Sequence, residues 1–319
     1  MSKYTTFADT RNLSRADWLS LRRSGIGGSD AAAVLGVNPW RGPFAVYADK
    51  LGAERAEEET EAMRQGRDLE EYVARRFSEA TGLRLRREYG MLRSTVHPCM
   101  IADIDRRIIG ERAGLECKTS KDLHLMRYRN GDFPLEYYCQ CLHYLAVTGW
   151  DRWYLAVLVY GTDLLTFTIE AEAARDDLAA LIQAEEAFWR DHVTKRQPPP
   201  PDGLESTGAA LAALYPRAEG LTLDAGPEDD ALMGELLAMK DEKKALDTRI
   251  AEAENRLKAR LGEAEALNGT SARATWRNQT RRAISEKKLR ALFPDLDLDT
   301  VKTETTARVF KVRGEESEE

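Results

Sequence analysis

Two short apolar runs that carry charged residues place the strongest constraint on this chain. The first run covers 97–105 and ends at Asp105, and the second covers 114–119 and includes Glu116 and Lys118. Alternate side chains of a strand share a face, so Glu116 and Lys118 point the same way. If the two runs pair as neighbouring strands, Asp105 converges on Glu116. The pattern therefore predicts two carboxylates with a lysine beside them.

Two converging carboxylates make a hard oxygen site that suits Mg²⁺. A lysine next to such a site is typical of enzymes that split a phosphodiester with a metal-activated water. The alternative interpretation is that Asp105 and Glu116 are ordinary solvated carboxylates at strand ends. The triplet by itself leaves both interpretations open.

Composition limits the class of protein. The chain has 319 residues, 43% of them hydrophobic, which is enough for one large domain and a smaller one. No apolar run approaches the ~20 residues that span a membrane, and the N-terminus lacks the apolar core of a signal peptide. The four cysteines agree with a reducing compartment, so we expect a cytoplasmic protein without a membrane partner. A net charge of −7 argues against coating DNA by bulk charge but leaves room for a local basic groove.

Helical and strand patterns alternate over residues 1–197, which we predict to form one domain. Strands are expected at about 83–94, 99–109 and 113–119, and helices at 134–148 and 171–193. A proline-rich stretch at 198–203 predicts a stiff linker.

Residues 204–319 are predicted to form a C-terminal domain. Its main feature is a long helix over 228–262 whose apolar residues fall close to heptad spacing. This helix could pack on its own domain, or it could form a coiled-coil contact in a homo-oligomer. A strand-like alternation at 271–277, a basic stretch at 281–290 and a strand-like end at 308–312 follow it.

The first 195 residues or so resemble the PD-(D/E)XK nucleases and, more narrowly, the YqaJ-type viral recombinase family, relatives of phage lambda exonuclease. Four blocks in the expected order carry the resemblance. They are the glycine-rich segment 21–36, the acidic helical block 66–71, Asp105 with Glu116-Cys117-Lys118, and the helix Gln140-x-x-x-Tyr144. The resemblance implies an α/β (α+β) fold with a restriction-endonuclease-like core, in which helices flank a central mixed β-sheet. The remainder would be a C-terminal helical and β appendage.

The resemblance also implies the metal set. Asp105 and Glu116 match the metal-binding carboxylates, the carbonyl of Cys117 a further ligand, and Glu70 a helical glutamate that reaches the metal directly or through water. The implied metal is Mg²⁺, with Mn²⁺ as a substitute. Lys118 matches the lysine that orients or deprotonates the attacking water.

The remaining matches concern the substrate. Gln140 and Tyr144 lie one helical turn apart and match residues that brace the site and the DNA. Arg22 and Ser29 match residues that grip a 5′-terminal phosphate, a role that suits a glycine-rich helix start.

The sequence departs from the family pattern in two places. The family often has Pro-Asp-Gly around the first aspartate, whereas this chain has Ile104-Asp105-Arg106, so Asp103 is a rival ligand. We prefer Asp105 because its distance from the Glu-x-Lys triplet matches better. The residue between Glu116 and Lys118 is usually aliphatic; here it is Cys117, which behaves as a small buried hydrophobe.

The resemblance implies a Mg²⁺-dependent 5′-to-3′ exonuclease that acts on double-stranded DNA ends in phage or prophage recombination and leaves a 3′ single strand. A single-strand annealing protein would be its partner. Two alternatives stay open. One is a structure-specific endonuclease or nickase on the same fold, and the other is a non-catalytic DNA-binding module.

Overall fold

The computed structural model describes residues 2–53, 60–121, 128, 131–161, 164–282, 285–293, 300 and 310–312. Two compact units divide the chain, Met1–Tyr215 and Pro216–Glu319. Within the described ranges, no helix combines the length and the apolar character that crossing a bilayer requires.

Both units contain α-helices and strands. The helices are α1 (Arg15–Arg22), α2 (Gly28–Val34), α3 (Pro43–Lys50), α4 (Glu61–Thr81), α5 (Leu135–Thr148), α6 (Arg175–Phe188), α7 (Glu205–Leu214), α8 (Pro227–Leu261) and α9 (Glu286–Leu292). The strands are β1 (Tyr4–Asp9), β2 (Leu85–Arg87), β3 (Gly90–Ser94), β4 (Ile101–Ala102), β5 (Arg106–Ile108), β6 (Ala113–Ser120), β7 (Arg152–Val159), β8 (Leu164–Glu170), β9 (Ala266–Asn268) and β10 (Arg273–Thr275).

A five-stranded mixed sheet forms the centre of the first unit, in the order β2-β5-β6-β7-β8. Strands β6 and β7 are parallel and are joined through α5, while the other neighbours are antiparallel. A parallel pair requires a crossover of this kind, usually a helix. The prediction of a mixed sheet flanked by helices is confirmed.

Helices α4 and α5 cover opposite faces of this sheet, as the alternation of β6 requires. Leu115 packs with Val73 and Phe77 of α4 in one apolar cluster, and the half-buried Cys117 joins it. Residues of α5 pack with Leu155 and Val157 of β7 in a second cluster. Side chains at even positions of β6, Glu116 and Lys118, therefore share the α5 side.

A separate three-stranded sheet in the order β1-β3-β4 lies in the same unit. Strand β1 was not among the predicted elements. Its residues are only exposed or half-buried, so the short segment lacks the apolar alternation that marks a strand in sequence. Antiparallel pairing with β3 fixes it in place.

The first unit extends beyond the stretch at 198–203, where we placed the linker. Helix α7 packs on α3, with Ala210 buried against Phe44, Ala45 and Ala48 and Leu214 packed beside them. The boundary between the compact units accordingly follows Tyr215. The proline-rich stretch connects two packed helices of one unit.

The second unit contains α8, which ends within one residue of its predicted limits at both ends. Strands β9 and β10 form an antiparallel pair that includes part of the predicted strand 271–277. Of the predicted strand at 308–312, residues 310–312 are described and form no strand, and 308 and 309 lie outside the described residues.

Candidate active site

The sheet brings the two predicted carboxylates together. Strands β5 and β6 pair antiparallel with Arg106 opposite Leu115, so Asp105 and Glu116 follow as the next pair in register. The backbone N–H of Cys117 donates to Asp105 Oδ2 at 2.8 Å. This bond fixes the Asp105 carboxylate beside Glu116, as the sequence predicted.

Helix α5 supplies polar contacts to Glu116 from above the sheet. Gln140 Nε2 donates to Glu116 Oε1 at 2.7 Å and to the hydroxyl oxygen of Tyr144 at 2.8 Å. The Tyr144 hydroxyl in turn donates to the carbonyl of Asp103 at 3.2 Å. Gln140 and Tyr144 thus form one chain of hydrogen bonds between Glu116 and the backbone that leads into Asp105.

Lys118 contacts Glu116 directly, with 2.6 Å between Nζ and Oε1. Its ammonium also lies 5.3 Å from the ring centroid of Tyr137, on α5. Both contacts favour the charged form of the lysine. The second carboxylate oxygen of Glu116, Oε2, is buried without a hydrogen-bond partner among the described residues.

Glu70 is held by arginines. The guanidinium of the buried Arg106 donates to Glu70 Oε1 at 2.6 Å and to Glu71 Oε2 at 2.8 Å. Arg87 lies 3.7 Å from the same Glu70 oxygen. Glu70 therefore belongs to the site region, but its carboxylate is paired with Arg106.

The rival aspartate, Asp103, has a different partner. Trp18 Nε1 donates to Asp103 Oδ2 at 2.7 Å, so this carboxylate is turned toward α1. Asp103 also lines the cleft described below, so the choice of Asp105 as the metal ligand stays a prediction.

The glycine-rich segment forms a second, cationic part of the site. Arg22 of α1 donates to the hydroxyl oxygen of Ser29, in the first turn of α2. The guanidinium of Arg22 also stacks over Trp18, 4.8 Å from the ring centroid. Helix N-termini attract anions, and an arginine placed there adds a full positive charge.

Asp30 is a buried hydrogen-bond acceptor for the cationic side chains of this region. Its fully buried carboxylate accepts from the N–H of Gly27 at 3.0 Å and from Lys50 Nζ and Arg41 Nη1, each at 2.7 Å. The pKa of Asp30 falls well below its usual range because Lys50, Arg41 and Arg22 outweigh the opposing effect of burial. Asp30 thus stays ionised and holds three cations near the start of α2.

One cleft of about 770 Å³ joins the two parts of the site. Seven predicted site residues share its lining: Arg22, Ser29, Glu70, Asp105, Glu116, Gln140 and Tyr144. Arg11, Arg15, Arg67 and Arg87 also line the cleft and give it a basic border despite the net negative charge of the chain.

Burial and crowding shape the charges at the carboxylates. Burial, then the neighbouring Glu116 and Glu70, raise the pKa of Asp105 well above its usual value. Burial also raises the pKa of Glu116, against the opposing effect of Lys118. Burial lowers the pKa of Lys118, but Glu116 and Asp105 outweigh it and the net pKa is raised. Ionisation of the two carboxyls is thus disfavoured, while Lys118 is held cationic.

One donor at the site suits a hard divalent cation. Glu116 Oε2 is an unpartnered buried carboxylate oxygen, the ligand type that Mg²⁺ prefers. In the described residues, no three His, Cys, Asp or Glu side chains are grouped closely enough to hold a metal ion. Two of the carboxylates have cationic partners instead, since Lys118 contacts Glu116 and Arg106 contacts Glu70.

Sequence reasoning missed several residues that position the site. They are Trp18, which binds Asp103; Asp30 with Arg41 and Lys50; and Arg106, which binds Glu70. Only Asp30 could have been found from the sequence. An acidic residue at the third position of a helix can accept a hydrogen bond from the backbone N–H of the N-cap residue.

Comparisons with known proteins identify the family of this chain. The family profile of the YqaJ-like viral recombinase domain matches residues 17–151. The chain is 34% identical over 311 residues to the uncharacterized protein YqaJ of Bacillus subtilis (strain 168), and the match covers 96% of each chain.

Solved structures similar to this chain include an alkaline exonuclease (LHK-Exo) from Laribacter hongkongensis. It has a TM-score of 0.47 and 18% identity, and the match covers 57% of this chain and 96% of that one. A phage related exonuclease from Haemophilus somnus 129PT has a TM-score of 0.41 and 12% identity, over 56% of this chain and 99% of that one. The identity and coverage of the Bacillus subtilis relative establish the family that the four sequence blocks predicted: this chain belongs to the YqaJ-like viral recombinase family.

Proposed function

We propose that this protein is a Mg²⁺-dependent nuclease that degrades one strand of linear duplex DNA from its 5′ end. The observation that carries the proposal is the single cleft that joins Asp105 and Glu116 to Arg22 and Ser29. Membership of a viral recombinase family supports a role in phage-type recombination, with a single-strand annealing protein as partner. The fold proposed for this chemistry is the PD-(D/E)XK core.

The metal would be held by Asp105, Glu116 and the carbonyl of Cys117, with Glu70 as a further donor. When bound, Mg²⁺ supplies Lewis-acid polarisation of the phosphate and lowers the pKa of a water molecule. Gln140 holds Glu116 Oε1 and leaves Oε2 free to act as a ligand.

Lys118 orients the nucleophilic water and offsets negative charge on the phosphate. A raised pKa keeps its ammonium protonated, which favours an orienting and electrostatic role over removal of a proton from water. Attack on the scissile phosphorus breaks the bond to the 3′ oxygen and releases a 5′-phosphorylated nucleotide.

Arg22 and Ser29 bind the 5′-terminal phosphate at the other part of the cleft. Their contact places a guanidinium and a hydroxyl beside the N-terminus of α2, and Asp30 holds Lys50 and Arg41 behind them. A grip on a terminal phosphate serves an enzyme that starts at a DNA end, which favours an exonuclease over an endonuclease.

The test compares 5′-phosphorylated linear duplex with closed circular duplex, each with Mg²⁺ or EDTA. Release of acid-soluble nucleotides from linear DNA alone is expected with Mg²⁺. Glu116→Gln and Lys118→Ala should each lower the rate by ~1,000-fold or more, because they remove a ligand charge or the group beside the water.

Glu79→Gln is the matched control, since Glu79 is an exposed glutamate of α4 whose side chain is 60% accessible. It should retain wild-type activity. Nicking of circular DNA would instead identify an endonuclease. Wild-type activity in Glu116→Gln, or equal release with EDTA, would contradict the proposed metal site.

The variant Arg22→Gln tests binding of the 5′-terminal phosphate separately from the cleavage step. The variant should lose the preference for 5′-phosphate over 5′-hydroxyl ends, because the guanidinium is the charged group beside Ser29. An unchanged preference would contradict the assignment of Arg22 and Ser29 to the terminal phosphate.

A further inference from the structure

Helix α8 carries an apolar stripe that no described residue of its own unit covers. Large apolar side chains along it are about half exposed, among them Leu232 (63%), Met239 (53%), Leu246 (50%), Ile250 (48%) and Leu257 (45%). Leu261, at the end of the helix, is the one buried residue of α8. Most of the stability of a protein helix comes from packing of its apolar face. Among the described residues, this apolar face of α8 is therefore uncovered.

The stripe follows the seven-residue repeat of a coiled coil. The a positions are Leu236, Lys243, Ile250 and Leu257, and the d positions are Leu232, Met239, Leu246 and Ala253. All of them lie within the continuous helix Pro227–Leu261. Seven of these eight residues are apolar and Lys243 is the exception. Mostly apolar a and d positions over several heptads are typical of a helix that pairs with a second helix.

An antiparallel pair of α8 helices from two copies of this chain matches these residues well. In antiparallel coiled coils, an a residue of one helix faces a d residue of the other. When Lys243 faces Leu246 of the second copy, Ile250 faces Met239. The same register places Leu257 against Leu232 and Leu236 against Ala253. Twofold symmetry repeats every contact, as a closed dimer requires.

The flanking charges agree with this register. The g positions are Glu235, Glu242, Arg249 and Arg256. In the antiparallel pair, Glu242 faces Arg249 and Glu235 faces Arg256, so every g contact joins opposite charges. At the e positions, Lys240 faces Asp247, again an attractive contact. Flanking charges of this kind set the partner and orientation of coiled coils.

The parallel arrangement is less favourable. There, a g residue faces the e residue of the following heptad, so Glu242 meets Asp247 and two like charges oppose each other. Lys243 would also face its own copy across the core. We propose that α8 is a self-complementary surface that joins two copies of this chain as an antiparallel coiled coil. The proposal is independent of the nuclease function.

Two charge variants of the full-length chain test the arrangement. The basic variant combines Glu235→Arg with Glu242→Arg, and the acidic variant combines Arg249→Glu with Arg256→Glu. A control combines Asp241→Arg with Glu252→Arg. It changes the net charge as much as the basic variant does, but at exposed positions outside the a, d, e and g sets. Sedimentation velocity at micromolar concentration gives the mass of each protein and of mixtures, and circular dichroism reports whether the helix is retained.

The wild type and the control should be dimers. The basic variant and the acidic variant should each sediment as monomers, and their equimolar mixture should restore the dimer, because only the mixture brings opposite charges to every g contact. In a parallel pair, the basic variant would keep as many attractive contacts as the wild type, since Glu242→Arg would face Asp247. A monomeric wild type, or an assembly that the basic variant leaves intact, would overturn the proposal. Nuclease activity is not part of this readout, so loss of the proposed function would leave the result interpretable.

Discussion

Gly28 connects the phosphate end of the cleft to the side chains that brace Glu116. A Cβ at this position would lie 2.7 Å from the ring of Tyr144 and 3.0 Å from Cγ of Gln140. The need for glycine is thus a close approach between α2 and α5. Any side chain here must push the two helices apart.

The expected effect of Gly28→Ala is a loss of both stability and rate. Overpacking a tight contact costs about 1–3 kcal/mol in the free energy of unfolding. The nuclease rate should fall as well, because Gln140 and Tyr144 would shift from Glu116. Gly27→Ala is the matched control, since its Cβ would have its nearest neighbours at 3.6 Å. Chemical denaturation and initial rates measure both effects, and equal stability of the two variants would contradict the argument.

At the residue scale, strand alternation predicts neighbours within the sheet but does not predict contacts between distant elements. The side-by-side position of Asp105 and Glu116 follows from register, a local rule, and the sequence predicted it. The pairing of Arg106 with Glu70 spans 36 positions along the chain and depends on how α4 lies on the sheet. The contact between Trp18 and Asp103 spans 85 positions in the same way. Contacts between residues so far apart along the chain depend on tertiary packing, so they cannot be predicted from residue spacing in the sequence.

At the scale of elements, a buried ion pair ties α5 to α6 and to β4. His143 Nδ1 lies 2.9 Å from both carboxylate oxygens of Glu185, and Nε2 donates to the carbonyl of Ile101 at 2.8 Å. A carboxylate at Nδ1 and a carbonyl at Nε2 favour the doubly protonated imidazolium. Burial lowers the pKa of His143, but Glu185 and the Ile101 carbonyl outweigh it, and the net pKa is raised above the usual 6.5.

This pair predicts a pH-dependent stability. A raised folded-state pKa means that the His143 contribution is fully present below 6.5 and is lost as pH rises through the folded value. The reference is the double variant His143→Leu with Glu185→Leu, which removes both charges together. As pH rises above 6.5, the unfolding free energy of the wild type should fall relative to this reference, by up to ~1.4 kcal/mol per pH unit within the titration. A constant difference in urea denaturation would contradict an imidazolium at this position.

Elements with strong local signals could be predicted closely. Helix α8 has a Gly-Pro start and an acidic first turn, and its observed limits differ from the predicted ones by one residue at each end. Strand β1 had no such signal, because it is a short strand with no buried side chain. Its pairing with β3 spans more than 80 positions, so only the folded chain defines it.

At the scale of the whole molecule, the boundary between the units was the least predictable feature. A run of four prolines predicts a spacer, yet the residues beyond it return to the first unit as α7. Asp202 stabilises the start of α7, since its Oδ1 accepts from the N–H of Leu204 and from the hydroxyl of Thr207. The prolines predicted the stiff segment, but α7 belongs to the first unit because it packs on the apolar surface of α3.

Two truncations test this boundary. The fragment 1–215 keeps α7, whereas 1–197 removes Ala210 and Leu214 and exposes Phe44 and Ala48 to solvent. The apolar area uncovered should lower the unfolding free energy of 1–197 by about 2–3 kcal/mol relative to 1–215. Urea denaturation followed by tryptophan fluorescence gives both values. Fragment 1–197 should also aggregate more readily, because its newly exposed apolar surface is contiguous. Equal stability of the two fragments would place the boundary at the proline-rich stretch after all, since α7 would then contribute nothing to the fold of the first unit.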